Sequence, residues 1–181
     1  YLPCSEERLE RALTRAGITQ RSDINLFVMD NNLPCEVSRS LNLEDELPQK
    51  LNQLAQEMGK LDKVSQAKLG AVTAWAQPAA VEEVVQLCRN LDQFDFIPHI
   101  HSVQEYGKYM VQESGDYYYD AGLEGYIDYE RLGQSLLFKE IGQFVESGYV
   151  SYKGTLTLEE LMMGDSVEQY RSEQGLLMGG M

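Results

Sequence analysis

The chain has 181 residues, 43% of them hydrophobic and 24% charged, so it can bury a real core in one domain or in two to three small ones. Its 29 acids and 15 bases leave a formal charge of −14, which argues against direct contact with nucleic-acid phosphates or an anionic membrane surface. Three widely spaced cysteines, Cys4, Cys35 and Cys88, offer neither a CxxC pair nor a disulfide framework and fit a reducing compartment; no apolar run reaches the ~20 residues that span a bilayer.

The chain opens on Tyr1, Leu2 and Pro3 with neither initiator Met nor signal peptide, which leads us to expect residues upstream. Pro3 and Ser5 mark the entry to a first helix, with Glu6 and Glu7 in its first turn. Leu9, Leu13 and Ala16 keep helical spacing, and Gly17 ends the helix. Ile24 to Met29 is short, apolar and β-favouring, and predicts a strand whose partner would lie upstream. Asp30, Asn31 and Asn32 supply turn chemistry.

From Ser40 to Asn90 the pattern is helical throughout. Leu43, Leu47, Leu51, Leu54, Met58 and Leu61 recur at three or four residues, one buried stripe. Pro48 is tolerated only in a first turn, which puts the helix start near Asp45. Ser65 is the expected cap of a second helix carrying Leu69, Val72 and Trp75, with Trp75 in the core. Pro78 opens a third, with Val81, Val84, Val85 and Cys88 inward and Cys88 an inert buried thiol. Three helices on short loops predict a small bundle.

Beyond Asn90 the pattern mixes strand and helix. Phe94, Phe96 and Ile97 predict an extended piece ending at Pro98. Ser102 and Glu105 match a capping box for a helix running to about Glu113 and stopping at Gly115. Another short helix starts near Asp128. Gly142 to Glu146 and Tyr149 to Lys153 predict a hairpin turning at Ser147 and Gly148. Thr157 and Glu160 form another capping box for a last helix through Met163, and the glycine-rich end from Gly175 predicts a frayed tail.

The charge is uneven along the chain. Between Asp92 and Glu130 lie nine acids, Asp92, Asp95, Glu105, Glu113, Asp116, Asp120, Glu124, Asp128 and Glu130, against one base, Lys108. Such a density repels itself. It is either a solvated face or a surface for a basic partner. Ten of the eleven tyrosines also fall after residue 100, and tyrosine suits both a half-buried core and an interface. Catalytic signals are weak. His99 and His101 would share one side of a strand, but no third metal ligand is specified. No single carboxylate is marked for acid–base work, and GxSxG, Walker and GxGxxG patterns are absent. These residues predict no enzyme, no metal and no cofactor.

The stretch Tyr126, Ile127, Asp128, Tyr129, Glu130, followed by Gly133 and Leu136, resembles the Tyr-Ile-Asp-Tyr-Glu signature of the ArdA antirestriction proteins. The opening from Leu2 to Leu13, the three-helix middle and the hairpin around Gly148 to Val150 are similar to that family in the same order, over roughly residues 1 to 155. Gln134 and Ser135 depart from the family's usual Arg-Asp, the leading strands are absent, and the tail after Lys153 has no counterpart. The resemblance implies an elongated, dimeric, cytoplasmic bacterial protein of mobile elements. Its nine carboxylates would imitate duplex phosphates, and Tyr126, Ile127, Tyr129 and Gly133 would position them by packing. The implied partner is a type I restriction-modification enzyme, through its methyltransferase and specificity subunits. The expected fold is α+β in small units: 1–39, an N-terminal α/β unit; 40–90, a helical bundle; 91–155, an acidic unit of helices plus a small antiparallel sheet; and 156–181, an extra helix and tail. A second reading is an acidic interaction module of a mobile-element protein directed at another partner.

Overall fold

The computed structural model describes residues 1–18 and 24–164. The fold is α+β: eight helices and one three-stranded antiparallel sheet among the described residues. It divides into two compact units, Tyr1–Leu91 joined by the chain from Thr155, and Asp92–Gly154. The N-terminal segment and the bundle expected as separate units therefore belong to one, and the last helix returns to it.

In the first unit, α1 (Glu6–Arg15) follows Ser5 and is left through Gly17 at φ +71°, a left-handed position that suits glycine. No α1 residue is buried. What ties this end down is Asn52, only 2% exposed on α3 (Pro48–Met58). Asn52 accepts from Cys4 N–H at 2.8 Å and donates to the Cys4 carbonyl at 2.9 Å; Gln56 donates to the same carbonyl at 3.1 Å. Replacing Asn52 with leucine leaves the Cys4 amide unpaired, a loss of about 1–3 kcal/mol. Amide exchange should then accelerate across α1 and stay unchanged in α5, and unaltered protection in α1 would refute this anchor.

The expected strand at Ile24 to Met29 is not formed: these residues belong to no regular element and pair with no strand among the described residues. Phe27 and Met29 are exposed. A strand is stabilised by its ladder, and local β-propensity does not supply one. A short helix unforeseen in the sequence, α2 (Cys35–Ser40), buries Val37 and packs on α4 (Lys63–Ala76).

The three predicted helices form, with shifted starts; of the expected buried stripe, Leu43, Leu54 and Met58 are buried, Leu51 and Leu61 are half-buried and Leu47 is exposed. α3 begins at Pro48, three residues after Asp45, because a single 3-10 turn, Leu43–Asp45, precedes it. Proline at N1 lacks only an amide that would be unpaired there anyway. The cap of α4 is Asp62, which accepts from the Ser65 amide at 2.7 Å, so Ser65 is capped rather than capping. Trp75 is half-buried. α5 (Val81–Arg89) buries Val81, Val84, Val85, Leu87 and Cys88. Lys50 to Glu82 at 2.5 Å and Arg89 to Glu57 at 3.1 Å link α3 to α5. Burial, with Glu57 nearby, pushes the Cys88 thiol up to about 12, which keeps it protonated and inert. α8 (Leu158–Met163) has the predicted Thr157–Glu160 capping box and packs on α5. The tail from Gly175 lies outside the described residues.

The second unit holds β1 (Phe94–Pro98), α6 (Val103–Gln112), α7 (Tyr129–Leu137), β2 (Ile141–Val145) and β3 (Gly148–Tyr152). The hairpin β2–β3 accepts β1 on its far side, in the order β1-β3-β2, with Phe94 opposite Tyr152 and Phe144 opposite Tyr149. Phe94 and Tyr152 stack at 4.9 Å, and Tyr149 meets Tyr106 of α6 at 4.8 Å. Both hydroxyls of the latter pair donate to Glu140, at 2.9 Å from Tyr106 and 3.1 Å from Tyr149. Tyr149 and Tyr152 are thus core residues: Tyr149 is held by ring packing and the carboxylate it shares with Tyr106, and Tyr152 by ring packing and a hydrogen bond donated to Gln93 Oε1 at 3.4 Å.

Candidate functional site

The second unit carries eleven acids against four bases, a formal −7. Its helices explain where those acids stand. α6 packs along α7 more extensively than any other pair of elements. A methyl group on Gly107 would strike the Tyr129 carbonyl, and one on Gly133 would strike the Val103 carbonyl. Two glycines therefore let the backbones touch, and the pairings 107 with 129 and 103 with 133 mean that the helices run in opposite directions. The end of α6 lies beside the start of α7, and Gln112 donates to Glu124 and to the Tyr129 hydroxyl there. Glu113, Asp116, Asp120, Glu124, Asp128 and Glu130 all belong to this end or to the loop joining it, and no base occurs between Glu113 and Glu130.

Eight of the nine predicted carboxylates are on exposed residues; the ninth, Asp95, is half-buried and pairs with Lys153. Several also serve the local fold. Asp128 is the N-cap of α7, accepting from the Arg131 amide at 3.0 Å. Asp120 accepts from the Gly122 amide at 2.8 Å and starts the 3-10 turn Ala121–Tyr126. Glu105 receives the His101 amide at 2.7 Å, one residue before the partner foreseen, while Ser102 accepts from the Glu105 amide as predicted. Asp92, Glu113, Asp116 and Glu130 make no side-chain hydrogen bond or ion pair among the described residues. Glu113 sits at the C-cap of α6, where a negative charge opposes the helix dipole by about 0.3–1 kcal/mol. The fold alone gives no reason for that charge.

Asp128 allows the two roles to be separated. Asparagine caps as well as aspartate, whereas alanine loses about 0.5–2 kcal/mol. Asp128→Asn should melt like the wild type, and Asp128→Ala should melt lower. Equal melting of the two variants would show that the cap contributes nothing.

The motif residues divide. Gly133 is buried and sets the helix contact; Ile127 and Tyr129 are half-buried. Burial first, then the Glu124 charge, raises the pKa of Tyr129. Tyr126 is 87% exposed, so packing does not account for it. The histidines do not share a strand face. β1 ends at Pro98, and His99 turns away at φ +63°, its amide donating to the Ser147 carbonyl at 3.0 Å. Among the described residues no group of three His, Cys, Asp or Glu could hold a metal ion, and no helix is long and apolar enough to cross a membrane.

The second unit is an α+β unit with an exposed, base-poor field of carboxylates. The family model described as Antirestriction protein (ArdA) matches residues 1–151, and the chain belongs to the ArdA antirestriction family. A search of curated proteins returned no match.

Proposed function

We propose that the protein blocks restriction as an acidic mimic of duplex DNA, occupying the DNA-binding cleft of a type I restriction-modification enzyme. The observation that carries this reading is the run Glu113 to Glu130: six acids, all exposed, with no base among them, at one end of a closely packed helix pair. Duplex DNA carries one charge per about 1.7 Å of axis, so −14 corresponds to roughly 24 Å of duplex. A homodimer would double that length, and we include one, acting in the bacterial cytoplasm, in the proposal. No bond chemistry is needed. The carboxylates take the place of phosphates on the enzyme's lysines and arginines, chiefly through the methyltransferase and specificity subunits, and DNA is excluded by competition.

The test is competition between this protein and labelled target DNA for a type I enzyme at two salt concentrations. Displacement of DNA that weakens as salt rises is the expected result. Failure to displace DNA at low salt would refute the proposal.

A further inference from the structure

The run of acids is interleaved with aromatic rings that the fold holds outward. Tyr118 is 104% exposed and Tyr126 is 87% exposed, with Leu123 also exposed between them. Beside Tyr118, Tyr117 is 40% exposed and Tyr119 is half-buried. Tyr118 is thus the most exposed of the three consecutive tyrosines. Tyr126 follows Glu124, which Gln112 holds, and precedes Ile127, whose amide donates to the Glu124 carbonyl at 3.4 Å, and Asp128, the cap of α7. Both rings stand in the chain among Asp116, Asp120, Glu124 and Asp128.

Exposed tyrosine rings leave apolar surface in water, and tyrosine is enriched at protein contact sites. Phosphate mimicry gives them no task, because it needs only charge. Their chemistry has a specific match. A guanidinium is planar and weakly hydrated on its faces, yet presents donors at its edge that fit a carboxylate. A ring beside a carboxylate meets both needs at once, stacking on the face while the acid takes the edge. An ammonium is compact and strongly hydrated, and gains little from the ring.

We infer that Tyr118 and Tyr126 are contact residues for arginine side chains of the bound protein, supplying affinity that salt does not screen. This rests on the mimic reading for the partner's identity and on the exposed rings for the chemistry. The experiment uses the full chain, a Tyr118→Ala/Tyr126→Ala variant and a Tyr118→Phe/Tyr126→Phe variant, all checked by circular dichroism. Affinity is measured for a type I methyltransferase at low and high salt, and for oligoarginine and oligolysine peptides of equal length.

The alanine variant should lose about tenfold or more for the enzyme at both salt concentrations, as truncated aromatic anchors do. The slope of log affinity against log salt should not change. The phenylalanine variant should stay within about threefold of the wild type, because the ring does the stacking. The wild type should prefer oligoarginine, and the alanine variant should not. If the alanine variant binds the enzyme as the wild type does, the inference fails while the proposed function stands. If the wild type ignores the enzyme but keeps a tyrosine-dependent arginine preference, the proposed function fails and the inference holds for another arginine-bearing partner. Loss of enzyme binding without any arginine preference overturns the arginine assignment. Conversion of a dimer to a monomer in the alanine variant, read by light scattering, would make this a self-interface and overturn it too.

Discussion

Gly133→Ala and its counterpart Gly107→Ala should each strongly destabilise the acidic unit. Each new methyl meets a main-chain carbonyl of the opposite helix, at Val103 and Tyr129 respectively. A side chain could rotate away from such a clash, but a carbonyl inside a helix cannot without breaking its hydrogen bond. Overpacking typically costs about 1–3 kcal/mol, and these sites belong at the upper end. In a unit of this size about 3 kcal/mol lowers the melting temperature by roughly 12–24 °C. Gly125→Ala is the control: nothing lies within 4 Å of its new methyl, so its melting should stay near the wild type. Wild-type melting of Gly133→Ala would mean that the two backbones do not touch.

The second large effect concerns charge. Reversing Asp92, Glu113, Asp116 and Glu130 to lysine together should weaken binding to a type I methyltransferase by at least about tenfold. Exposed ion pairs contribute about 0.2–1 kcal/mol each. A reversal loses one attraction and adds one repulsion, about 0.4–2 kcal/mol per site, or roughly 1.6–8 kcal/mol for four. These four are chosen because none makes a side-chain hydrogen bond or ion pair among the described residues, so the fold should survive. A single neutralisation such as Asp128→Asn should cost less than about tenfold. The measurement is affinity across a graded series, with folding checked by circular dichroism. A collapse of binding from one conservative change with the fold intact would point to a discrete site and end the mimic reading.

Local signals carried most of the helical architecture. The leucine and valine stripes of α3 to α5, the capping boxes and the Ser147–Gly148 turn are all encoded within a few residues. What required the structure was long-range. The sequence shows Gly107 and Gly133 as two isolated glycines, and only the helix contact reveals that each answers a carbonyl on the other helix. Nothing local tells that β1 joins the hairpin, because Phe94 and Tyr152 are far apart in the chain. The strand expected at Ile24 to Met29 failed for the same reason in reverse: its composition suits a sheet, but no partner strand meets it among the described residues. At the candidate site, the abundance of acids was legible and their division of labour was not. Asp120 and Asp128 spend their oxygens on caps, and Asp95 on Lys153, whereas Glu113 opposes its own helix. Tyr126, expected to pack, stands in solvent.

The strand order β1-β3-β2 also bears on how this chain could be reassembled by exchange. The first strand of the acidic unit lies against its last, with Phe94 opposite Tyr152, and the Lys153 amide donates to the Gln93 carbonyl at 2.8 Å. The two points where the chain enters and leaves are therefore separated by about one inter-strand spacing, roughly 5 Å. Such an insert can be removed and its flanks rejoined, or another substituted, without stretching the host around it. The charged unit is thus a separable insert in chain terms, and the helical host keeps its own closure through α8 against α5.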